Sequence, residues 1–350
     1  MAANLNILVT GSAGFIGHHL VLALQHLFPK ITGLDSINSY YDVALKHDRL
    51  KQQGFESDRI KYNRQISSSL NEHLSFIQLD LADENALDNL FRTQQFDIVI
   101  NLAAQAGVRF SLEHPQSYVS SNLVGFANLL ECCRKYKIKH LLFASSSSVY
   151  GLDNKIPFTT ENNTDFPVSF YAATKKANEV MAHSYAHLYQ IPTTGMRFFT
   201  VYGPWGRPDM AYFSFTKAIL ENTKIKIYNY GEMYRDFTYI DDVVQGIQKL
   251  LIAYPQHPLK AAFSSAPYRI LNIGNSKPEP LMELVTTLEE LLGQKADLNL
   301  QPMQPGDVVS TYADVSALQE VTGFSPKTTL KEGLAHFTNW YLQYYKVNAS

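Results

Sequence analysis

Tyr171 and Lys175 stand four residues apart in Tyr171-Ala-Ala-Thr-Lys175, a spacing that places a phenol and an ammonium on one face of a helix. A free phenol, with a pKa of about 10, is a poor base at neutral pH. A neighbouring cation favours the phenolate, and a phenol tuned in this way can take a proton from a sugar or steroid hydroxyl. Spacing alone does not define that chemistry, because the same pair arises in many amphipathic helices. Two other features give it context: a glycine pattern at the start of the chain and the serine run Ser145–Ser148.

The glycine pattern is Gly11-Ser-Ala-Gly14-Phe15-Ile16-Gly17, between an apolar strand-like run and a helical pattern. Small residues let the backbone approach a pyrophosphate, and a helix N-terminus offers it unpaired N–H groups and a partial positive charge. This predicts a dinucleotide site. Asp35 ends the second predicted strand about twenty residues further on, where a carboxylate accepts hydrogen bonds from the adenosine ribose and repels a 2′-phosphate. The expected cofactor is therefore NAD. Asp80 and Leu81 end the third strand, where the adenine is expected. Leu102, Ala103 and Ala104 follow the fourth, where small residues permit close approach.

These residues need a scaffold, and the first two hundred residues supply its pattern. Short apolar runs alternate with helical periodicity, which predicts a doubly wound, Rossmann-type parallel α/β sheet. Strands are expected at Leu5–Val9, Ile31–Leu34, Ser75–Leu79, Ile98–Asn101, His140–Ala144 and Thr193–Arg197. Helices are expected at Gly14–Leu27, Asn85–Phe91, Gln116–Tyr136 and Phe170–Tyr189, with one more near Val43–Gln52 in the long connection after Ile37. Beyond residue 200 prolines interrupt the pattern, and residues 201–350 read as a smaller α/β ligand-binding domain. Residues 1–200 form the cofactor domain in this reading, rejoined by parts of 236–275 through the apolar runs Phe237–Ile240 and Ile270–Ile273.

Bulk properties narrow the function. The chain has 350 residues, 45% hydrophobic and 18% charged, with a formal net charge of −2. That balance suits a folded protein and gives no surface for nucleic acid. No apolar run reaches the ~20 residues of a membrane span, and no signal peptide is read at the N-terminus. The only cysteines, Cys132 and Cys133, are adjacent and cannot staple distant segments, which fits a reducing cytoplasm. The 11 histidines are scattered, without metal-ligand spacing.

Taken with Ser145-Ser-Ser-Ser-Val-Tyr-Gly151, these motifs resemble the extended short-chain dehydrogenase/reductases of the NAD-dependent epimerase/dehydratase family. Within that family the chain is most similar to the UDP-glucuronate 4-epimerases. The likeness is carried by Leu34-Asp-Ser-Ile-Asn-Ser-Tyr40-Tyr41, Ala104-Gln-Ala-Gly-Val-Arg109, Arg197-Phe-Phe-Thr-Val-Tyr-Gly-Pro204, Gly206-Arg-Pro-Asp-Met210, Arg235-Asp-Phe-Thr-Tyr-Ile-Asp-Asp242 and Pro305-Gly-Asp307.

The resemblance implies a redox-neutral inversion at C4 of a UDP-sugar through a transient 4-keto form. Tyr171 is then the base, Ser146 a hydrogen-bond donor to the reacting oxygen, and Lys175 a ligand of the nicotinamide ribose that holds the Tyr171 pKa down. Ser147 and Ser148 occupy the positions of an Asp-Glu pair in the related 4,6-dehydratases, which disfavours elimination of water. Arg207 falls where uronate epimerases carry an arginine for the C6 carboxylate, a group that a planar guanidinium matches well. Thr200, Ser147 and Ser148 are expected to add hydrogen bonds to the sugar. Arg235 and Asp307 match residues that anchor UDP, and Asn178 and Arg109 are further candidates for the diphosphate. A homodimer is implied through the helices that start at Gln116 and Phe170.

Other readings share the same core. They are UDP-glucose or UDP-N-acetylglucosamine 4-epimerases, a UDP-glucuronate decarboxylase, a dehydrogenase that releases NADH, and a dinucleotide sensor without chemistry. The sensor has no use for a tuned phenol.

Overall fold

The computed structural model describes residues 5–153, 155–255, 264–304 and 308–347. Its centre is filled by short apolar runs: β1 (Asn6–Thr10), β2 (Lys30–Asp35), β3 (Gln65–Ser67), β4 (Leu74–Gln78), β5 (Ile98–Asn101), β6 (His140–Ser146) and β7 (Thr193–Phe198). Later strands are β8 (Thr200–Tyr202), β9 (Lys224–Ile227), β10 (Tyr234–Tyr239), β11 (Tyr268–Ile273), β12 (Pro278–Pro280) and β13 (Asp297–Leu300). Eight of these form one sheet in the order β11-β7-β6-β5-β1-β2-β4-β3. All its neighbours run parallel except β3, which is antiparallel to β4. Ile7, Leu8 and Val9 on β1 are all fully buried, because helices cover both faces of such a sheet and every position must be apolar.

The topology decides where a ligand can bind. From β1 the chain winds outward through β2 and β4, then returns across β1 to β5 on its other side. At such a reversal the connections leave in opposite directions, and a crevice opens beyond the carboxyl ends of the two strands. Gly11 follows β1 and Leu102 follows β5, so both expected cofactor segments lie at that crevice.

Two differences from the sequence expectation have physical causes. The helix expected at Gln116–Tyr136 is interrupted: Val119–Val124 is a π-helical segment between Pro115–Tyr118 and Gly125–Lys135. Its Asn122 side chain pairs both ways with the Gln105 backbone, at 2.8 and 3.0 Å, and so binds the helix to the β5 connection. The run Ile270–Ile273 takes the outer edge of the large sheet within β11. Phe237–Tyr239 lies instead in β10, at the centre of a three-stranded sheet β12-β10-β8, and Ile240 begins the helix Ile240–Ile252. That helix is strongly amphipathic and packs on the helix Phe15–Leu24. The remaining strands, β9 and β13, pair with each other.

One apolar core runs from Leu5, just before the first strand, to Tyr341 on the last helix, Leu330–Tyr345. A second core, around Leu129, Leu130 and Phe143, fills the opposite face of the large sheet. No helix of the described residues is long and apolar enough to cross a membrane.

Candidate active site

A single cavity of about 850 Å³ follows the carboxyl ends of the large sheet from Gly11 to β8 and β10. Its cofactor end is made of backbone. Gly11 has φ +73°, and a Cβ there would lie 2.8 Å from the Ala103 nitrogen. A Cβ on Gly17 would lie 2.1 Å from the Gly11 carbonyl oxygen, so neither position accepts a side chain without backbone movement. The helix Phe15–Leu24 starts at Gly14 with no side chain capping its first turn and no acidic residue in it. Its first N–H groups, at Phe15 and Ile16, therefore point their partial charge into the cavity rim, where an anion is favoured.

Asp35 is clamped by backbone amides. Its Oδ2 accepts from the Ala13 N–H at 3.1 Å and its Oδ1 from the Ile37 N–H at 2.8 Å. Each oxygen retains a lone pair for a ribose hydroxyl. Asp80 accepts from the Ala82 N–H at 2.9 Å, and it lines the cavity together with Leu81, Leu102, Ala103 and Ala104. A cradle that a Cβ would fill, an uncapped helix start and a clamped carboxylate together fit a dinucleotide.

The chemical centre lies where β6 meets the helix Phe170–Tyr189. Ser169 begins this helix by accepting from the Ala172 N–H at 3.1 Å, which fixes Tyr171 in its first turn. Lys175 donates to the Ala144 carbonyl at 2.9 Å, and its Nζ lies 5.9 Å from the Tyr171 ring centre. Burial draws the Lys175 pKa down to about 8 against the pull of Glu179. The Ser146 hydroxyl bonds to the Ser148 hydroxyl at 2.9 Å and accepts from the Ser148 N–H at 3.2 Å.

Burial raises the Tyr171 pKa above the ordinary phenol value, since it penalises the phenolate. The Arg207 charge and a hydrogen bond with Ser146 oppose that rise, and Asp209 adds to it. This corrects the expectation that Lys175 sets the phenol pKa: burial pushes it up, and the largest opposing charge is Arg207.

Behind the centre, Ser145 donates to Glu179 at 2.6 Å, and Glu179 holds Arg197 through two bonds of 2.8 Å in a buried pair. All four serines of Ser145–Ser148 line the cavity, but the Ser145 hydroxyl is committed to Glu179.

The sugar end is made of side chains from distant segments. Arg207 lies in the cavity and pairs in two places with Asp209, Nε to Oδ1 at 3.0 Å and Nη2 to Oδ2 at 2.5 Å. Tyr40 donates to the same Oδ2 at 3.1 Å. Arg109 lies over the Tyr228 ring, 4.5 Å from its centre. Arg235 donates to the carbonyls of Tyr234 and Val309 at 2.8 and 3.0 Å. Both arginines and Thr200 line the cavity.

Asn178 does not line the cavity. It is buried and donates to the Asn122 carbonyl at 2.6 Å, so the expected contact with a diphosphate is corrected to a brace for the π-helical segment. Asp307 lies outside the described residues.

Sequence reasoning passed over Asp209, Tyr40, Tyr228 and Arg49. Asp209 had a local signal, an acid two residues beyond Arg207 in a proline-containing turn. Arg49 is fully buried and donates to the carbonyls of Ala13, Trp205 and Gly206 and to the Tyr41 hydroxyl. It thereby ties the glycine loop to the loop of Arg207. Its signal was a basic residue on the inner face of the helix Val43–Gln52. Among the described residues no group of His, Cys, Asp and Glu could hold a metal.

A doubly wound sheet with an open glycine cradle at its switch point, and a Ser, Tyr and Lys grouped beside it, defines a dinucleotide-dependent enzyme acting on a hydroxyl. Residues 7–274 match the NAD dependent epimerase/dehydratase family, and the chain belongs to it. It is 49% identical to the protein CapI of Staphylococcus aureus, over 98% of this chain and 100% of that one. It is 44% identical to a probable UDP-glucuronate 4-epimerase of Rhizobium meliloti, over 97% of each chain. The crystal structure of UDP-glucuronic acid 4-epimerase from Bacillus cereus, solved with UDP-glucuronic acid and NAD, matches with a TM-score of 0.84 at 31% identity, covering 97% of this chain and 100% of that one.

Proposed function

We propose that this chain is an NAD-dependent isomerase that inverts C4 of a UDP-sugar and interconverts UDP-glucuronate and UDP-galacturonate. The observation that carries the choice of substrate is the Arg207 guanidinium in the same cavity as Tyr171 and Ser146. A C6 carboxylate requires a fixed, charge-matched donor, and a neutral hexose does not. Relatives named for this activity, such as the probable UDP-glucuronate 4-epimerase of Rhizobium meliloti, support the same choice.

NAD would be held by the cradle of Gly11, Gly14, Phe15, Ile16 and Gly17, by Asp35 at the adenosine ribose, and by Asp80, Leu81, Leu102, Ala103 and Ala104 along the cavity wall. When bound, it supplies the hydride acceptor and donor for C4. Tyr171 takes the proton of the 4-hydroxyl and later returns it, while Ser146 hydrogen-bonds the same oxygen. Lys175 holds the cofactor ribose and adds its charge near the phenol. Because burial opposes the phenolate, the base is strongest once a cationic cofactor stands beside it.

Arg207, with Ser147, Ser148 and Thr200, orients the sugar carboxylate. That hold also protects the product: a 4-keto uronate is a β-keto acid and loses CO₂ when its carboxylate turns perpendicular to the ketone. Arg235 and Arg109 face the diphosphate. Asp307, outside the described residues, is proposed for the uridine ribose on family likeness alone.

Residues 1–200 with β11 act as the cofactor unit in this proposal, and residues 201–350 cradle the UDP-sugar. A homodimer is proposed through the helices after Gln116 and Phe170, where Val124, Val180, Leu188 and Tyr189 are exposed. A cytoplasmic role in supplying surface polysaccharide precursors fits the two unpaired thiols, Cys132 and Cys133.

Proton NMR of purified protein with NAD and UDP-glucuronate tests the reading. UDP-galacturonate signals are expected. Epimerisation of UDP-glucose with the uronate untouched would overturn it, and a pentose product with CO₂ would indicate a decarboxylase.

A further inference from the structure

Arg207 is not an open cation waiting for a carboxylate, because one already sits on it. Asp209 takes the Nε and Nη2 side of the guanidinium in a fork-to-fork pair, the geometry in which a substrate carboxylate would bind best. Tyr40 donates to Asp209 Oδ2, the same oxygen that accepts from Arg207 Nη2, and its ring lies 5.9 Å from the Arg207 guanidinium carbon. Tyr40 is itself fixed, by tilted packing against Phe110 with ring centres 4.8 Å apart. All of Tyr40, Arg207 and Asp209 line the cavity that holds Tyr171.

We infer that Asp209 is a specificity-determining residue: an internal carboxylate that occupies Arg207 in the empty site and competes with the C6 carboxylate of the incoming sugar nucleotide for it. The inference rests on the proposed uronate activity and goes beyond it by making recognition an exchange of partners.

Three physical points support the exchange. Burial acts to raise the Asp209 pKa, but Arg207 and the hydrogen bonds outweigh it and hold the group below the usual carboxylate range, so it is ionised at neutral pH. Two carboxylates against one guanidinium repel each other, so a second anion binds more weakly while the first stays in place. The pair is also partly open, with side-chain exposures of 24% for Arg207 and 32% for Asp209, so solvent can receive the displaced group. A sugar with a neutral C6 hydroxymethyl leaves the pair intact and meets no competition. Asp209 therefore lowers affinity for a uronate selectively, which favours release of a product that carries the same charge as the substrate.

Calorimetric titration in the NAD-loaded Tyr171→Phe protein tests this without turnover, using UDP-glucuronate and UDP-glucose as probes. In Asp209→Asn the UDP-glucuronate Kd is expected to fall roughly tenfold, and the UDP-glucose Kd to change by less than about twofold. A purely structural role would move both Kd values together and leave their ratio unchanged, which would overturn the inference. Selective weakening of uronate binding would also overturn it, since Asp209 would then be holding Arg207 for the substrate. Asp209→Ser carries the same test if the asparagine variant fails to retain NAD. An unmoved ratio, with epimerisation of UDP-glucuronate by the protein that retains Tyr171, refutes only the role of Asp209. Protein that binds no uronate at all refutes this inference and the proposed activity together.

Discussion

The two ends of the cavity are built from different material. At the cofactor end the contacts are backbone: a left-handed Gly11, a helix start without a side-chain cap, and an Asp35 clamped by amides from two loops. At the sugar end they are long side chains from separate segments, and each already has a protein partner. Arg207 holds Asp209, Arg109 covers Tyr228, and Arg235 donates to two carbonyls. Backbone contacts cost little further ordering when a ligand binds, which suits a cofactor that stays. Paired side chains must exchange partners, which suits a substrate that enters and a product that leaves.

The sharpest way to separate the ends is Tyr171→Phe, which removes one oxygen at their junction. Turnover is expected to fall by at least about a thousandfold with NAD content unchanged, measured by kcat and by cofactor absorbance. Loss of cofactor in this variant would mean that chemistry and cofactor binding are not separate.

Gly17→Ala attacks the cofactor end alone. Its Cβ would meet the Gly11 carbonyl oxygen at 2.1 Å, so the loop must move. A stability loss of about 3 kcal/mol and protein purified without NAD are expected, read by denaturant titration and absorbance. Normal cofactor content would refute the backbone cradle.

Lys175→Met should cost activity yet stabilise the cofactor-free protein. The Lys175 pKa is lowered from 10.5 to about 8, so below pH 8 folded and unfolded chains both carry the charge and the folded state bears the full cost of burying it. Between about pH 8 and 10.5 the unfolded chain binds more protons, and stability gained from this group rises with pH. Allowing for the bond lost to the Ala144 carbonyl, a gain of about 2 kcal/mol at pH 7.5 is expected, shrinking towards pH 10. Urea titrations of both proteins at two pH values check the sign; destabilisation at pH 7.5 would show the ammonium to be well compensated.

Asn178→Ala should give the smallest effect and fall outside both ends. About 1 kcal/mol of stability is expected to go with the bond to Asn122, while KM for the UDP-sugar stays within about twofold. A large rise in KM would return Asn178 to the diphosphate.

The same contrast explains what could be read from the chain. The parallel strands of the large sheet were legible to within a residue or two because a sheet covered on both faces needs unbroken apolar runs, whereas the short antiparallel edge strand β3 (Gln65–Ser67) carries no such run and was not read. The cofactor loop was legible because its constraint is local, glycine within seven residues of glycine in Gly11–Gly17. The break at Val119–Val124 was not, because Asn122 is recruited by Gln105 and Asn178 from other elements. Phe237–Tyr239 is as apolar as a large-sheet strand, and only its partners place it elsewhere. Tyr171 and Lys175 were found by helical spacing, but the sign of the Tyr171 shift depends on burial and on Arg207, far away in sequence. Arg207 itself was found through family likeness, and its pairing with Asp209 and Tyr40 needed coordinates.

The central claim is that C4 is inverted by transient oxidation, with the C4 hydrogen kept inside the site. The most direct measurement is conversion of UDP-glucuronate in D₂O by the NAD-loaded protein, followed by proton NMR. The expected result is UDP-galacturonate with protium retained at C4. Deuterium at C4 of the product would contradict it, because the hydrogen would then have exchanged with solvent as a proton.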